Sequence, residues 1–230
     1  MNTTHLLQTL LGRSLRWEEN DDSTISSFHL RLHIATIIQK LYQIDCVKNS
    51  NESVLSGVLE LYTSSRDPAD SKLFDVICSI EAKCKLSVTS TSNLWKAFRK
   101  GWSARYPEAI SSSIETPSAL IIREYMVYNT LNFDCRAEAG HTEIDQTHTW
   151  WLENKSSLKL GDPRFWLPLI AYCLHCVSHS ADLAVLIENY AIGYTIACLS
   201  SESETIRKMA CFILLSWLRL CEVNSLSTIS

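Results

Sequence analysis

Apolar residues recur along this chain at three- and four-residue intervals, the spacing of one face of a helix. Leu30, Ile34, Ile37, Ile38 and Leu41 form such a stripe within residues 26–44. A short amphipathic segment, residues 1–16, and the acidic break Glu18-Glu19-Asn20-Asp21-Asp22 precede it. After a polar turn at residues 48–52, Val54, Leu55, Val58, Leu59 and Tyr62 form a second stripe. Asp67-Pro68 predicts a helix start, with Asp as N-cap and Pro at the first helical position, where its missing N–H is harmless. Leu73, Ile77, Ile80 and Cys84 continue that helix, and the Ser/Thr-rich residues 85–93 read as a loop. Trp95, Phe98 and Trp102 open another face, which Pro107 is expected to end. Residues 111–118 read as a loop and 120–131 as a helix; 132–149 carry no clear period.

Asp162-Pro163 repeats the cap-then-proline device. Phe165, Trp166, Leu169, Ile170, Cys173, Leu174 and Val177 make one apolar face behind it, and Pro168 within this helix is expected to kink it. Ser180 can cap a short helix that turns Leu183, Leu186 and Ile187 inward, with Asn189 as its end. Tyr190, Tyr194, Ile196 and Cys198 follow as another helix. Ser201 and Glu204 have capping-box spacing for the last one, whose inner face is Ile206, Met209, Ala210, Ile213, Leu214, Trp217 and Leu220. Residues 224–230 read as a polar tail. Strand-like alternation is confined to pieces such as Phe28 to Leu32, and no strict repeat period spans the chain. The pattern predicts an all-α fold, with antiparallel helices stacked as an armadillo/HEAT-like α-solenoid, in one helical-repeat domain over residues 1–223.

Composition agrees. Of 230 residues, 46% are hydrophobic and 20% charged, a globular balance, and only 6 Gly and 5 Pro are available for tight turns. The net charge of −4 argues against a domain that binds nucleic acid through overall basicity, so any RNA contact needs a local patch. The opening Met-Asn-Thr-Thr-His lacks the basic-then-apolar form of a secretory signal. The longest run without Asp, Glu, Lys or Arg, Phe165 to Ala181, is too short and too polar for a membrane span. With no signal, the 9 cysteines read as reduced core residues of an intracellular protein. No membrane partner is expected.

One local patch stands out. Lys83, Lys85, Lys96, Arg99, Lys100 and Arg105 occur without an acid between Ala82 and Tyr106, interleaved with Trp95, Phe98, Trp102 and Tyr106. Such a stretch is a candidate RNA contact, cations on phosphates and rings under bases. The competing reading is a solvated basic face with its aromatics in the core. Cys173, Cys176, His175 and His179 form the best metal candidate, but no second Cys-x-x-Cys exists, and Cys173 and Cys176 are expected in the core, so no metal is expected. Arg207 could brace neighbouring helices through Asp162 or Glu188. Asp162 and Arg164 resemble a catalytic pair, yet capping accounts for Asp162. Phosphate-loop, nucleophile-elbow and zinc-protease motifs are absent. The expectation is no catalysis, no cofactor and no small-molecule substrate.

Asp162-Pro163-Arg164-Phe165, Leu167-Pro168-Leu169, Ile187-Glu188, Ala191-Ile192-Gly193, and Ala197 through Ser201, Arg207 and Ala210 to Leu214 carry a resemblance. Over residues 161–221 the chain resembles the C-terminal domain of the nucleolar pre-ribosomal-associated protein family (the Urb/Npa family). Weaker echoes lie at Leu73 to Glu81 and Asn93-Leu94-Trp95. Gly161 stands where the family has an aromatic and Trp166 where an aliphatic is usual, and family members are far longer. The resemblance implies a non-catalytic helical scaffold in ribosome biogenesis, acting in early pre-60S particles for maturation of large-subunit and 5.8S rRNA. It implies nucleolar localisation, pre-60S assembly factors as partners, and structural roles for Asp162, Pro163, Arg164, Phe165, Pro168 and Arg207. Contact with pre-rRNA would run through the basic patch. The alternative is an armadillo-type protein-binding adaptor unrelated to ribosome assembly.

Overall fold

A computed structural model describes residues 3–14, 25–65, 67–105, 161–177, 180–188 and 190–227. Among them are nine α-helices, one 3-10 turn and no strand. The chain divides into two compact units, Met1–Glu108 and Ala109–Ser230. The expected loop at 111–118, helix at 120–131, aperiodic stretch at 132–149 and helix end at Pro107 lie outside the described residues, as do His179 and Asn189.

The first unit contains α1 (Thr3–Ser14), α2 (Ile25–Ile44), α3 (Glu52–Leu61), α4 (Pro68–Cys84) and α5 (Ser92–Arg105). Helix α3 lies at its centre, against α1, α4 and α5, while α2 packs on α1 and α4. Asn51 caps α3 by accepting from the Val54 N–H at 3.0 Å, and Asp67 caps α4 by accepting from the Asp70 N–H at 2.7 Å. Val54, Leu55, Val58, Leu59, Leu73, Ile77, Ile80 and Leu94 are buried, each worth about 1.5–3 kcal/mol in transfer terms. A methyl group at Gly101 would run into the Glu60 backbone carbonyl, so glycine there lets α5 lie directly on α3.

Helix α2 differs from its expected orientation. Its buried face is Arg31, Ala35, Ile38 and Tyr42, whereas Leu30 and Ile37, assigned to the apolar face from their spacing, are about half exposed. The inward seat of Arg31 sets this rotation.

The second unit contains α6 (Pro163–His175), α7 (Ser180–Glu188), α8 (Ala191–Ala197), the 3-10 turn Cys198–Ser200 and α9 (Glu204–Ser227). Helices α6, α7 and α8 all pack on α9. Phe165, Trp166, Leu169, Ile170, Cys173 and Leu174 are buried as expected, and Ala210 and Ile213 lead the inner face of α9. Other expectations change. Ile187, expected to turn inward, is exposed, while on α8 Tyr194 with Ala191, Ile192 and Thr195 takes the core side and Ile196 faces out. Tyr190 opens α8 in the left-handed region, at φ 59°. The capping box does not form: α9 begins at Glu204, and the Ser201 hydroxyl accepts from the Ser203 N–H at 3.2 Å. The helix then runs to Ser227, through the first residues read as a polar tail.

Candidate functional site

The basic stretch folds as the last turn of α4, a loop, and α5. Lys85 closes α4 in the left-handed conformation, φ 53°, which turns the chain toward α5. Trp95, Phe98 and Trp102 recur at helical spacing and all three are buried. Phe98 sits at the middle of an aromatic cluster, with ring centroids 5.7 Å from Trp95, 6.3 Å from Trp102 and 6.4 Å from Tyr62. These rings build the core and offer no face to a base.

The cations go the other way. Lys83, Lys85, Lys96 and Lys100 are exposed and Arg99 is half-buried; the Arg105 side chain lies outside the described residues. Lys100 reaches back to Glu60 on α3 at 2.9 Å. Lys83 sits 5.4 Å above the Tyr42 ring and 3.5 Å from its hydroxyl. A hydrogen bond with Cys46, and secondarily one with Tyr42, holds its ammonium above the ordinary lysine range, so Lys83 stays cationic. The surface thus offers point charges on a rigid helical backing, suited to phosphate contact without base stacking.

The residues expected as structural in the second unit do local work. Asp162 is buried and accepts from the Arg164 N–H at 2.9 Å; the Arg164 guanidinium folds back on the same carboxylate, Nη2 to Oδ2 2.7 Å and Nε to both oxygens at 3.1 Å. Pro163 occupies the first turn, Phe165 packs edge-on to Trp166 with centroids 5.7 Å apart, and Pro168 is exposed. The Tyr194 hydroxyl donates to the Gly161 carbonyl at 3.0 Å, tying α8 to the start of α6. Arg207 donates to the backbone carbonyls of Ser201 and Glu202, each at 2.6 Å, rather than to Asp162 or Glu188. It braces the turn before α9 by satisfying carbonyls.

Cys173 is buried, and burial pushes its thiol up to about 12, so the group is a neutral thiol within the core. Cys176, expected beside it in the core, is exposed, because α6 ends at His175 and Cys176 already belongs to the cap. Among the described residues no group of three or more His, Cys, Asp or Glu side chains is placed to hold a metal, and no single helix is long and apolar enough to cross a membrane.

The densest polar cluster was not singled out by motif or spacing. Arg31 of α2 bonds through Nη1 to Asp67 and through Nη2 to Asp70, and also to the Leu61 carbonyl at 3.3 Å and the Thr63 hydroxyl at 3.2 Å. Asp70 further accepts from Thr63 N–H at 3.2 Å, Thr63 Oγ1 at 2.6 Å and Ser65 N–H at 2.7 Å. Ser64 between them is buried with φ 53°, a conformation the surrounding bonds hold in place. Burial pushes the Asp70 carboxyl above its ordinary range, with Arg31 opposing. Every carboxylate oxygen is engaged, and the hollow beside Arg31, lined by Ile34, Ala35, Ile38, Leu61 and Leu73, leaves no room for a small molecule. The cluster is a structural clamp between α2 and the α3–α4 connection. Its sequence signs were Asp67, read only as a helix cap, and an arginine inside the apolar period of α2.

Comparison of the chain with protein-family models, with curated proteins and with solved structures finds no match.

Proposed function

We propose that the chain is a non-catalytic helical scaffold of ribosome biogenesis, acting in the nucleolus on early pre-60S particles. In this reading its helices stack as an armadillo/HEAT-like solenoid, pre-60S assembly factors are its protein partners, and large-subunit and 5.8S rRNA maturation depends on it. The reading rests on the resemblance at residues 161–221 and, from the geometry, on one observation. Lys85 and Lys96 project from the acid-free stretch, Lys83 and Lys100 are exposed but lie on Tyr42 and Glu60, and the aromatics of the stretch are buried. Contact with pre-rRNA through these lysines would therefore be to phosphates, salt-sensitive and indifferent to sequence.

The test is capture of the full chain from cells, with RNA sequencing and mass spectrometry of what comes with it. Pre-60S RNA and assembly factors are expected, and a Lys85→Glu/Lys96→Glu variant should lose RNA cross-links while its unfolding midpoint moves little, within ~0.5 kcal/mol. Absence of pre-60S components from the wild-type capture would overturn the reading. The exposed apolar stripe Leu30, Ile37 and Ile44 on α2 favours the second reading, a protein-binding adaptor. In that case the capture would hold proteins, lost on Ile37→Asp, and no ribosomal precursor.

A further inference from the structure

Cys173 and Cys176 are the only two of the 9 cysteines that lie within five residues of each other, and the fold gives them unequal surroundings. Cys173 is 2% exposed, on the core side of the last turn of α6, while Cys176 is exposed at the C-cap. The cap closes tightly. The Cys176 N–H donates to the carbonyls of Cys173 and Tyr172, each at 3.1 Å. Bonding to the third residue back is the closure of a 3-10 turn, in which side chains three apart lie one above the other. Helix geometry sets two α-carbons at this spacing about 5 Å apart, inside the span of about 4.4–6.8 Å that a disulfide bridges. The side chains agree with the backbone. The Tyr172 hydroxyl donates to Cys176, the largest cause of a phenol held above its ordinary range, and this bond draws the Cys176 sulfur back over the last turn. There it acts on Cys173, second to burial in raising that thiol.

We propose that Cys173 and Cys176 form a reversible disulfide across the last turn of α6, with a low-molecular-weight disulfide such as oxidised glutathione as the oxidant. The exposed sulfur reacts first. Cys176 gives its proton to solvent, its sulfur attacks the glutathione disulfide, and that bond breaks. One glutathione leaves as a thiolate and takes up a proton, and the other stays on Cys176 as a mixed disulfide. Cys173 then attacks the Cys176 sulfur, and its proton passes to the second departing glutathione. The protein has lost two hydrogen atoms, and the oxidant has become two thiols. Burial keeps Cys173 a neutral thiol, so closure is the slower step. The product carries no charge and suits the same core position. This inference does not depend on the ribosomal reading.

Incubation of the full chain with oxidised and reduced glutathione at a series of ratios, followed by alkylation and peptide mapping by mass spectrometry, tests it. The segment carrying Cys173 and Cys176 is expected to become two hydrogens lighter and closed to alkylation. A glutathione adduct on Cys176 should appear earlier and then decline, and excess reduced glutathione should restore both thiols. Cys173→Ala should stop at the adduct. Cys176→Ser, at an exposed position, should keep its helicity by circular dichroism and leave Cys173 untouched by the oxidant. An adduct on Cys176 that persists in the wild type, thiols unchanged at every ratio, oxidation of Cys173 in Cys176→Ser, or a bond from either sulfur to another cysteine would each overturn the proposal.

Discussion

Two helices of this protein open with the same dipeptide, Asp67-Pro68 on α4 and Asp162-Pro163 on α6, and the two aspartates end up in different structures. Both are buried and both cap their helix through a backbone N–H. Asp162 then takes its cation from two residues away: Arg164 curls over the cap, leaving about a third of its side chain in water. Asp67 takes its cation from 36 residues away, on another helix, and shares it with Asp70 in a site nearly closed to solvent. The local device is identical. One copy trims a helix end, and the other anchors three segments, α2, the α3–α4 connection and α4.

The largest expected difference is at the cations. Arg31→Ala leaves two buried carboxylates without their counter-charge, and a loss of about 3–5 kcal/mol in urea unfolding is expected. Arg164→Ala, at a partly solvated pair, should cost under about 1 kcal/mol. Equal losses would break the contrast between clamp and cap.

A smaller effect separates the aspartates. Asp162→Ala should cost about 1 kcal/mol, the loss of a cap. Asp67→Ala should cost about 2 kcal/mol, because it also removes one arm of the Arg31 pair, although Asp70 remains to meet the guanidinium. Chemical denaturation of the two variants side by side checks the order.

The smallest effect is in pH. Asp70 is held above the ordinary carboxylate range by burial, with the neighbouring Asp67 adding to the shift and Arg31 opposing it. A raised folded-state value means that the native protein binds this proton more tightly than the unfolded chain does. The resulting stabilisation is fully present below the unfolded value, near ~3.9, and is lost as pH rises through the folded value. The stability of the wild type relative to Asp70→Asn should therefore grow as pH falls from neutral toward that range. A difference that stays flat, or shrinks, would show that Asp70 is ionised throughout and that Arg31 dominates.

Much of the fold was legible along the chain, because the signals are local. The α-helical class follows from three- and four-residue periodicity, and the starts of α4 and α6 follow from an aspartate whose acceptor reaches an N–H two or three residues on. The aromatics of α5 and the cations between them could be assigned to opposite sides by the same spacing, though only the packing decided that the rings are closed to a ligand. The sequence reading failed where a choice depended on a distant partner. The rotation of α2 was misjudged because arginine scores as polar, and nothing near Arg31 announces that two aspartates on another element will neutralise it. The spacing of Ser201 and Glu204 predicted a capping box for the last helix, yet that helix begins at Glu204, with Ser201 turned to the Ser203 N–H and Arg207 on the carbonyls of Ser201 and Glu202. Periodicity and the two Asp-Pro caps are written within a few residues and so were determined by the sequence alone. The facing of each helix and the burial of Asp70 were decided by tertiary packing, since a side chain's environment is set by what lies across from it rather than by what lies next to it in the chain.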